Sequence, residues 1–274
     1  MAVSRYPPAL RHRRQIALPE LAGEGQARLA RARALVVGCG GLAAPVVSYL
    51  AAAGVGALTL VDDDVVEPSN LNRQVLFREA DVGRRKAERA AEVVAALDPG
   101  IHVEALVERL TGAAARRQVA RHDIVIDCTD GLPTKFLLND ACVLQDKPLV
   151  HGAATAWAGQ VLVVPGRDGP CLRCLFPEPP PSGTVPTCRN AGILGAVTGV
   201  IGAFMAAEAV KVMLGDRRAL VGRFLAVDVL APQVRELTFV RQRECRACGD
   251  APSVDVSRAA DYQRDACDDD DDVP

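Results

Sequence analysis

The stretch Ala34-Leu35-Val36-Val37-Gly38-Cys39-Gly40-Gly41-Leu42-Ala43-Ala44-Pro45 decides the fold. Its first four residues are a continuous apolar run stopped by glycine, the pattern of a short strand buried on both faces. Gly38 to Gly41 form a turn, and Leu42 to Ala53 have the length and alanine content of a helix. Pro45 falls in the first turn of that helix, where its missing N–H costs little, and Gly54 ends it. Strand, glycine turn and helix start together present backbone N–H groups and a positive helix end to a phosphate. A second apolar run, Leu58 to Val61, ends in Asp62, placed to accept hydrogen bonds from ribose hydroxyls. These features alone admit NAD as readily as a mononucleotide, although Ala43 and Ala44 stand where a third fingerprint glycine is expected.

Working outward, strands and helices alternate. Arg84 to Leu97 predicts an amphipathic helix closed by Asp98-Pro99-Gly100. Val103–Val107, Ile124–Asp127 and Pro148–His151 read as strands, with a helix over Thr134–Gln145. This order implies a parallel sheet covered on both faces. After Gly152 the texture changes: strands at Gln160–Val164, Gly222–Asp228 and Val234–Val240, a Pro/Gly/Cys-rich segment at Asp168–Pro186, and an apolar helix over Ala191–Leu214. The fold class expected is α/β, a doubly wound, Rossmann-like, mostly parallel sheet with C-terminal antiparallel strands and a structural zinc module. Residues 1–33 make a basic arm and a short helix, and 34–166 the nucleotide-binding region. Residues 167–249 are a zinc-pinned part of the same domain, and 250–274 an acidic tail, expected to be disordered, with five aspartates at Asp268–Asp272.

A net charge of -2 and an aromatic content of 4% argue against nucleic acid or an anionic membrane as the main partner. Met1 to Arg14 is basic but no apolar core follows, so it is not a secretory signal. Ala191 to Ala207 sits at the short limit for a membrane span and is followed at once by Glu208 and Lys211. It reads instead as a buried helix packed against another helix or subunit, in a cytoplasmic protein.

The loop Asp62 to Gln74 gathers acids, amides and a cation: Asp62, Asp63, Asp64, Glu67, Ser69, Asn70, Asn72, Arg73 and Gln74, with Lys86 at the start of the next helix. Hydride transfer does not need so many phosphate-directed groups. Transfer at the α-phosphate of ATP does, because charge spreads over the transferring group and the leaving pyrophosphate. Arg73 and Lys86 suit that task, and Asp130, followed by Gly131, is placed to hold Mg²⁺.

Of nine cysteines, four form the pairs Cys171/Cys174 and Cys245/Cys248, enough thiolates to close a tetrahedral Zn²⁺ site. Cys39, Cys128 and Cys142 sit in apolar surroundings as core fillers. Cys188, beside Arg189 and just before the apolar helix, reads either as a favoured thiolate or as a structural residue. Cys267 is incidental. His12, His102, His122 and His151 are scattered without ligand spacing, and none is assigned a catalytic role.

In combination these motifs resemble the ubiquitin-activating-enzyme-like adenylyltransferases of the MoeB/ThiF/HesA family. The matching pieces are Arg13-Arg14-Gln15, the Gly38–Leu42 turn, Ala53-Gly54-Val55-Gly56, Ser69 to Gln74, Val82-Gly83 with Lys86, Asp127 to Asp130, and the cysteine pairs. The resemblance implies a homodimer that adenylates the C-terminal glycine carboxylate of a small ubiquitin-like sulfur-carrier protein ending in Gly-Gly, preparing it for thiocarboxylate formation. It implies nucleotide contacts from Gly41, Asp62, Asn70, Arg73, Lys86 and Asp130, and an Arg14 that reaches the phosphates of the neighbouring subunit. The whole candidate nucleotide site is Gly38, Gly40, Gly41, Asp62, Ser69, Asn70, Arg73, Gln74, Lys86, Asp130 and Gly131. Two departures stand out: Gly131 and Lys135 occupy places where relatives often carry Asn and Arg, and Lys lacks the bidentate fork. Some members use a cysteine at the place of Cys188 to bond the carrier covalently, so conjugation through a Cys188 thioester is an alternative, with an NAD-dependent oxidoreductase another. No rhodanese-like segment follows residue 250, so sulfur is expected from a separate donor, such as a cysteine desulfurase or rhodanese.

Overall fold

The run Arg33–Val37 forms the central strand β1 of the computed structural model, which describes residues 6–180, 191–258 and 262. In chain order the strands are β1, β2 (Ala57–Val61), β3 (His102–Leu106), β4 (Ile124–Asp127), β5 (Leu149–Thr155), β6 (Ala158–Val164), β7 (Arg223–Asp228) and β8 (Gln233–Thr238). The helices are α1 (Pro8–Arg11), α2 (Arg13–Ile16), α3 (Gly25–Arg31), α4 (Ala43–Ala52), α5 (Lys86–Leu97), α6 (Gly112–Arg121), α7 (Leu132–Leu144), α8 (Leu172–Leu175) and α9 (Gly195–Leu214). Cys188, Cys267 and the aspartate run lie outside the described residues.

All eight strands join one sheet in the order β3-β2-β1-β4-β5-β6-β7-β8. Pairing is parallel from β3 through β5 and antiparallel from β5 to β8. One core packs α4, α5 and α9 against one face; a second packs α6, α7 and α8 against the other. Burial on both faces explains why β1 and β4 read as continuous apolar runs, and why β2 does so but for the buried Thr59.

Helix α6 fills a stretch to which sequence reading assigned no element. Its buried face is only Ala114, Ala115 and Val119 beside Gln118, and its other positions are rich in arginine, so its apolar period is faint. Helix α9 is the one described helix long and apolar enough to cross a membrane. Here it packs on the sheet and across α4: a Cβ on Gly202 would lie 2.4 Å from the Leu42 carbonyl oxygen. That close approach is what its glycines permit.

Candidate active site

Strand order reverses between β1 and β4: the chain leaves β1 toward β2 and β3, then returns to β4 on the other side. Ligands in open α/β sheets bind in the crevice at the carboxyl ends of such strands. Val37 is in register with both Val61 and Asp127, so Gly38, Asp62 and Cys128 leave the sheet at one level. A cavity of about 890 Å³ opens there.

The glycine turn is shaped by its neighbour strand. Gly38 has φ +84°, and a Cβ on it would sit 2.9 Å from the carbonyl carbon and oxygen of Cys128. Only glycine fits that backbone and that gap. Gly40 and Gly41 continue the turn along the cavity wall, and α4 starts at Ala43. Asp62 accepts the Cys39 N–H at 2.7 Å through Oδ2 and the Asp64 N–H at 2.8 Å through Oδ1. Burial raises its pKa, while the two N–H donors and Lys86 oppose the rise. Lys86 opens α5, is buried, and pairs with the Asp64 carboxylate.

The loop before α5 is braced internally. The Asn70 side-chain oxygen accepts the Glu67 N–H at 3.2 Å, and the Ser69 hydroxyl donates to Glu67 at 3.2 Å. Arg73 donates to the Ser69 carbonyl at 2.8 Å. Arg73 and Gln74 line the cavity; Ser69 and Asn70 stand behind it and hold the loop that presents Arg73. Gln74 is buried with its Oε1 lacking a hydrogen-bond partner among the described residues. Its Nε2 is the atom turned toward Gly40.

Across the crevice, Asp130 is exposed on the cavity wall and Gly131 precedes α7. Beneath them is a buried polar network that sequence reading did not foresee. Asp127 is fully buried and accepts the Thr129 N–H at 3.0 Å, the Thr129 hydroxyl at 2.7 Å, the Lys135 ammonium at 3.3 Å and His151 Nδ1 at 2.8 Å. Lys135, which also lines the cavity, donates to the Gly152 carbonyl at 2.8 Å as well, so its charge is engaged within the protein. Burial pushes the Asp127 carboxyl up, but Lys135, His151 and Thr129 together hold it far below the usual carboxylate range. The sequence signal was available in two polar residues, Asp127 and His151, each closing an apolar run, although β5 itself continues past His151 to Thr155.

Arg14 lies exposed on α2 and does not line the cavity. The arm that carries it docks on the turn after α4: Gln15 and Gln26 both donate to the Ala53 carbonyl, at 2.7 and 2.9 Å, and His12 packs against Gly54.

The two cysteine pairs meet. Their four Sγ atoms lie within 4.8 Å of one another, with Cys171–Cys245 at 3.6 Å and Cys174–Cys248 at 3.4 Å. These are non-bonded separations, far beyond the ~2.05 Å of a disulfide and near the ~3.8 Å edge of a tetrahedron with ~2.3 Å zinc–sulfur bonds. The Gln242 N–H points at Cys174 Sγ from 3.4 Å. The donor set fits Zn²⁺. A buried ion pair ties this knuckle to α7: Arg173 meets both Asp140 oxygens, lies over the Phe136 ring, and shares Asp140 with the Tyr262 hydroxyl at 2.6 Å.

The ThiF family model matches residues 12–248. A sulfur carrier protein adenylyltransferase of Thermus thermophilus is 48% identical over 248 residues, covering 89% of this chain and 92% of that protein. The SAMP-activating enzyme E1 of Haloferax volcanii is 46% identical, covering 92% of this chain and 93% of that protein. An adenylyltransferase and sulfurtransferase MOCS3 of Sus scrofa is 47% identical over 96% of this chain, which spans only 59% of that longer relative. Among solved structures, the E. coli MccB complex with ATP superposes with a TM-score of 0.73 over 82% of this chain and 69% of that chain. At 22% identity this last match speaks for the fold alone.

Proposed function

Because the chain belongs to the ThiF family, we propose that it uses ATP to adenylate the C-terminal glycine carboxylate of a small ubiquitin-like sulfur-carrier protein, preparing it for thiocarboxylate formation. The observation that carries this reading is one cavity at the β1/β4 switch point lined by the glycine turn, Asp62, Arg73, Lys86 and Asp130. In it the remaining turn N–H groups, at Gly40 and Gly41, cradle phosphate and Asp62 binds the ribose. The carrier carboxylate attacks the α-phosphate, pyrophosphate leaves, and a mixed anhydride open to a sulfur nucleophile results. Arg73 and Lys86 balance the charge that builds on the α-phosphate and the leaving group. Asp130 is the residue to hold Mg²⁺, which when bound neutralises phosphate charge.

The same reading makes the protein a homodimer in which Arg14 serves the neighbour's nucleotide, fitting a cation on an arm outside its own cavity. Cys171, Cys174, Cys245 and Cys248 hold a structural Zn²⁺ closed to substrate. Sulfur comes from a separate donor. The route through a Cys188 thioester concerns a residue outside the described ones.

ATP–pyrophosphate exchange with small ubiquitin-like carriers ending in Gly-Gly tests the function. Carrier-dependent exchange is expected, and Arg73→Ala should lower its rate about a hundredfold or more. Exchange absent with every carrier, together with NAD binding, would overturn the reading.

A further inference from the structure

Strand β5 delivers to the cavity a titratable side chain that the adenylation chemistry leaves without a task. His151 is 2% exposed and lines the cavity. Its Nδ1 faces the Asp127 carboxylate at 2.8 Å, so that nitrogen carries the proton. Nε2 is then a bare lone pair. It has no hydrogen-bond partner among the described residues and is not one of the sealed, partnerless atoms, so it opens on the cavity.

The same face of β5 continues through Ala153 to Thr155, whose hydroxyl is buried without a partner. Across the sheet, Gln160 of β6 stands opposite Ala153, and Ala226 of β7 opposite Gln160. Beyond His151 this part of the cavity floor runs through the small side chains of Ala153 and Ala226, with Gln160 between them and Phe224 beside them. A chain end without side chains, such as Gly-Gly, can be gripped only through its backbone, and each buried N–H needs an acceptor.

We propose that His151 positions the substrate: its Nε2 accepts a backbone N–H of the carrier's C-terminal Gly-Gly and so holds the terminal carboxylate toward the α-phosphate. This rests on the function proposed above. The charged groups facing the ring are Asp127 from β4 and Lys135 from α7, while β6 sets the apolar Leu162 opposite it. Burial and Lys135 push the imidazole pKa down, against the pull of Asp127, which keeps Nε2 an acceptor at neutral pH. Protonation would convert it into a donor and repel the N–H it holds.

The test measures the KM for carrier in pyrophosphate exchange between about pH 5 and 8, with ATP affinity followed in parallel. It uses the full chain and a carrier that supports exchange with the wild-type protein. If no carrier does so, the function fails before this inference is reached. His151→Ala should raise the carrier KM about tenfold and leave ATP affinity unchanged. His151→Gln, an acceptor that does not titrate, should restore carrier binding and abolish the rise in KM seen with the wild type in acid. An unchanged carrier KM in His151→Ala, an equal loss of ATP affinity, or an acid rise that persists in His151→Gln would overturn the proposal.

Discussion

Replacing Gly38 by alanine tests how tightly the glycine turn is built. The backbone at Gly38 has φ +84°, a region that costs an L-residue about 1–2 kcal/mol. The added methyl would lie 2.9 Å from the Cys128 carbonyl carbon and oxygen and 3.0 Å from the Thr129 nitrogen. Carbon contacts are at rest near ~3.5–4.0 Å, and these neighbours are backbone, unable to rotate away as a side chain would. The seam between β1 and β4 must open, and such overpacking costs ~1–3 kcal/mol. Together about 2–5 kcal/mol is lost, and at about 2–4 °C per kcal/mol the melting temperature should fall by about 4–20 °C. The same seam separates the phosphate turn from Asp130, so the KM for ATP in carrier-dependent exchange should rise as well. Calorimetry and exchange kinetics on Gly38→Ala make the measurement. A melting temperature within about 2 °C of wild type with an unchanged KM would refute the reasoning.

The remaining predictions concern the knuckle and pH. The purified protein should carry one Zn²⁺ per chain by elemental analysis; Cys171→Ser should lose it and melt earlier, and full metal retention would count against the site. Arg173→Met leaves the fully buried Asp140 carboxylate without a cation, with only the Tyr262 hydroxyl and the Asn139 amide as donors, at a cost of about 3–5 kcal/mol read from the denaturant midpoint; a midpoint shift below about 1 kcal/mol would mean the pair is not buried in solution. His12, His122 and His151 are all buried and held below their ordinary pKa, chiefly by that burial. The unfolded chain then binds more protons than the folded one as pH drops below about 6.5, so stability should fall, by up to ~1.4 kcal/mol per pH unit for each ring. Asp127 works in a lower window: its depressed carboxyl adds stability above its unfolded value near ~3.9, lost only as pH falls further. A urea midpoint that stays flat from about pH 7 to 5 would contradict the histidine prediction.

Much of the fold and part of the site were legible in the residues themselves. Apolar runs ending in Gly38, Asp62 and Asp127 announced buried parallel strands and their functional ends, because burial on both faces leaves a local, uninterrupted signature. The cysteine spacing announced its own pairing, since four thiolates have few other uses in such a pattern. Arg73 and Lys86 were legible as cations grouped close in sequence to the Asp62 loop, and the structure lines the cavity with both.

The remainder depended on contacts between distant segments, which no local pattern encodes. Helix α6 was invisible because its buried face is mostly alanine. Ser69 and Asn70 stand in the motif beside Arg73 yet brace the loop from behind, a distinction set by which way a turn closes. Lys135 was legible as a charge, but only the packing of α7 on β4 and β5 directs it to Asp127 and Gly152. His151 had no signal beyond its place at the close of an apolar run; register with Asp127 in the neighbouring strand sets its Nδ1 on that carboxylate. The sequence by itself determined the strands, the glycine turn and the kinds of chemical group available. Tertiary structure decided which of those groups face the cavity and which neutralise one another beneath it, because hydrogen bonds and burial between strands far apart in the chain fix orientation and charge.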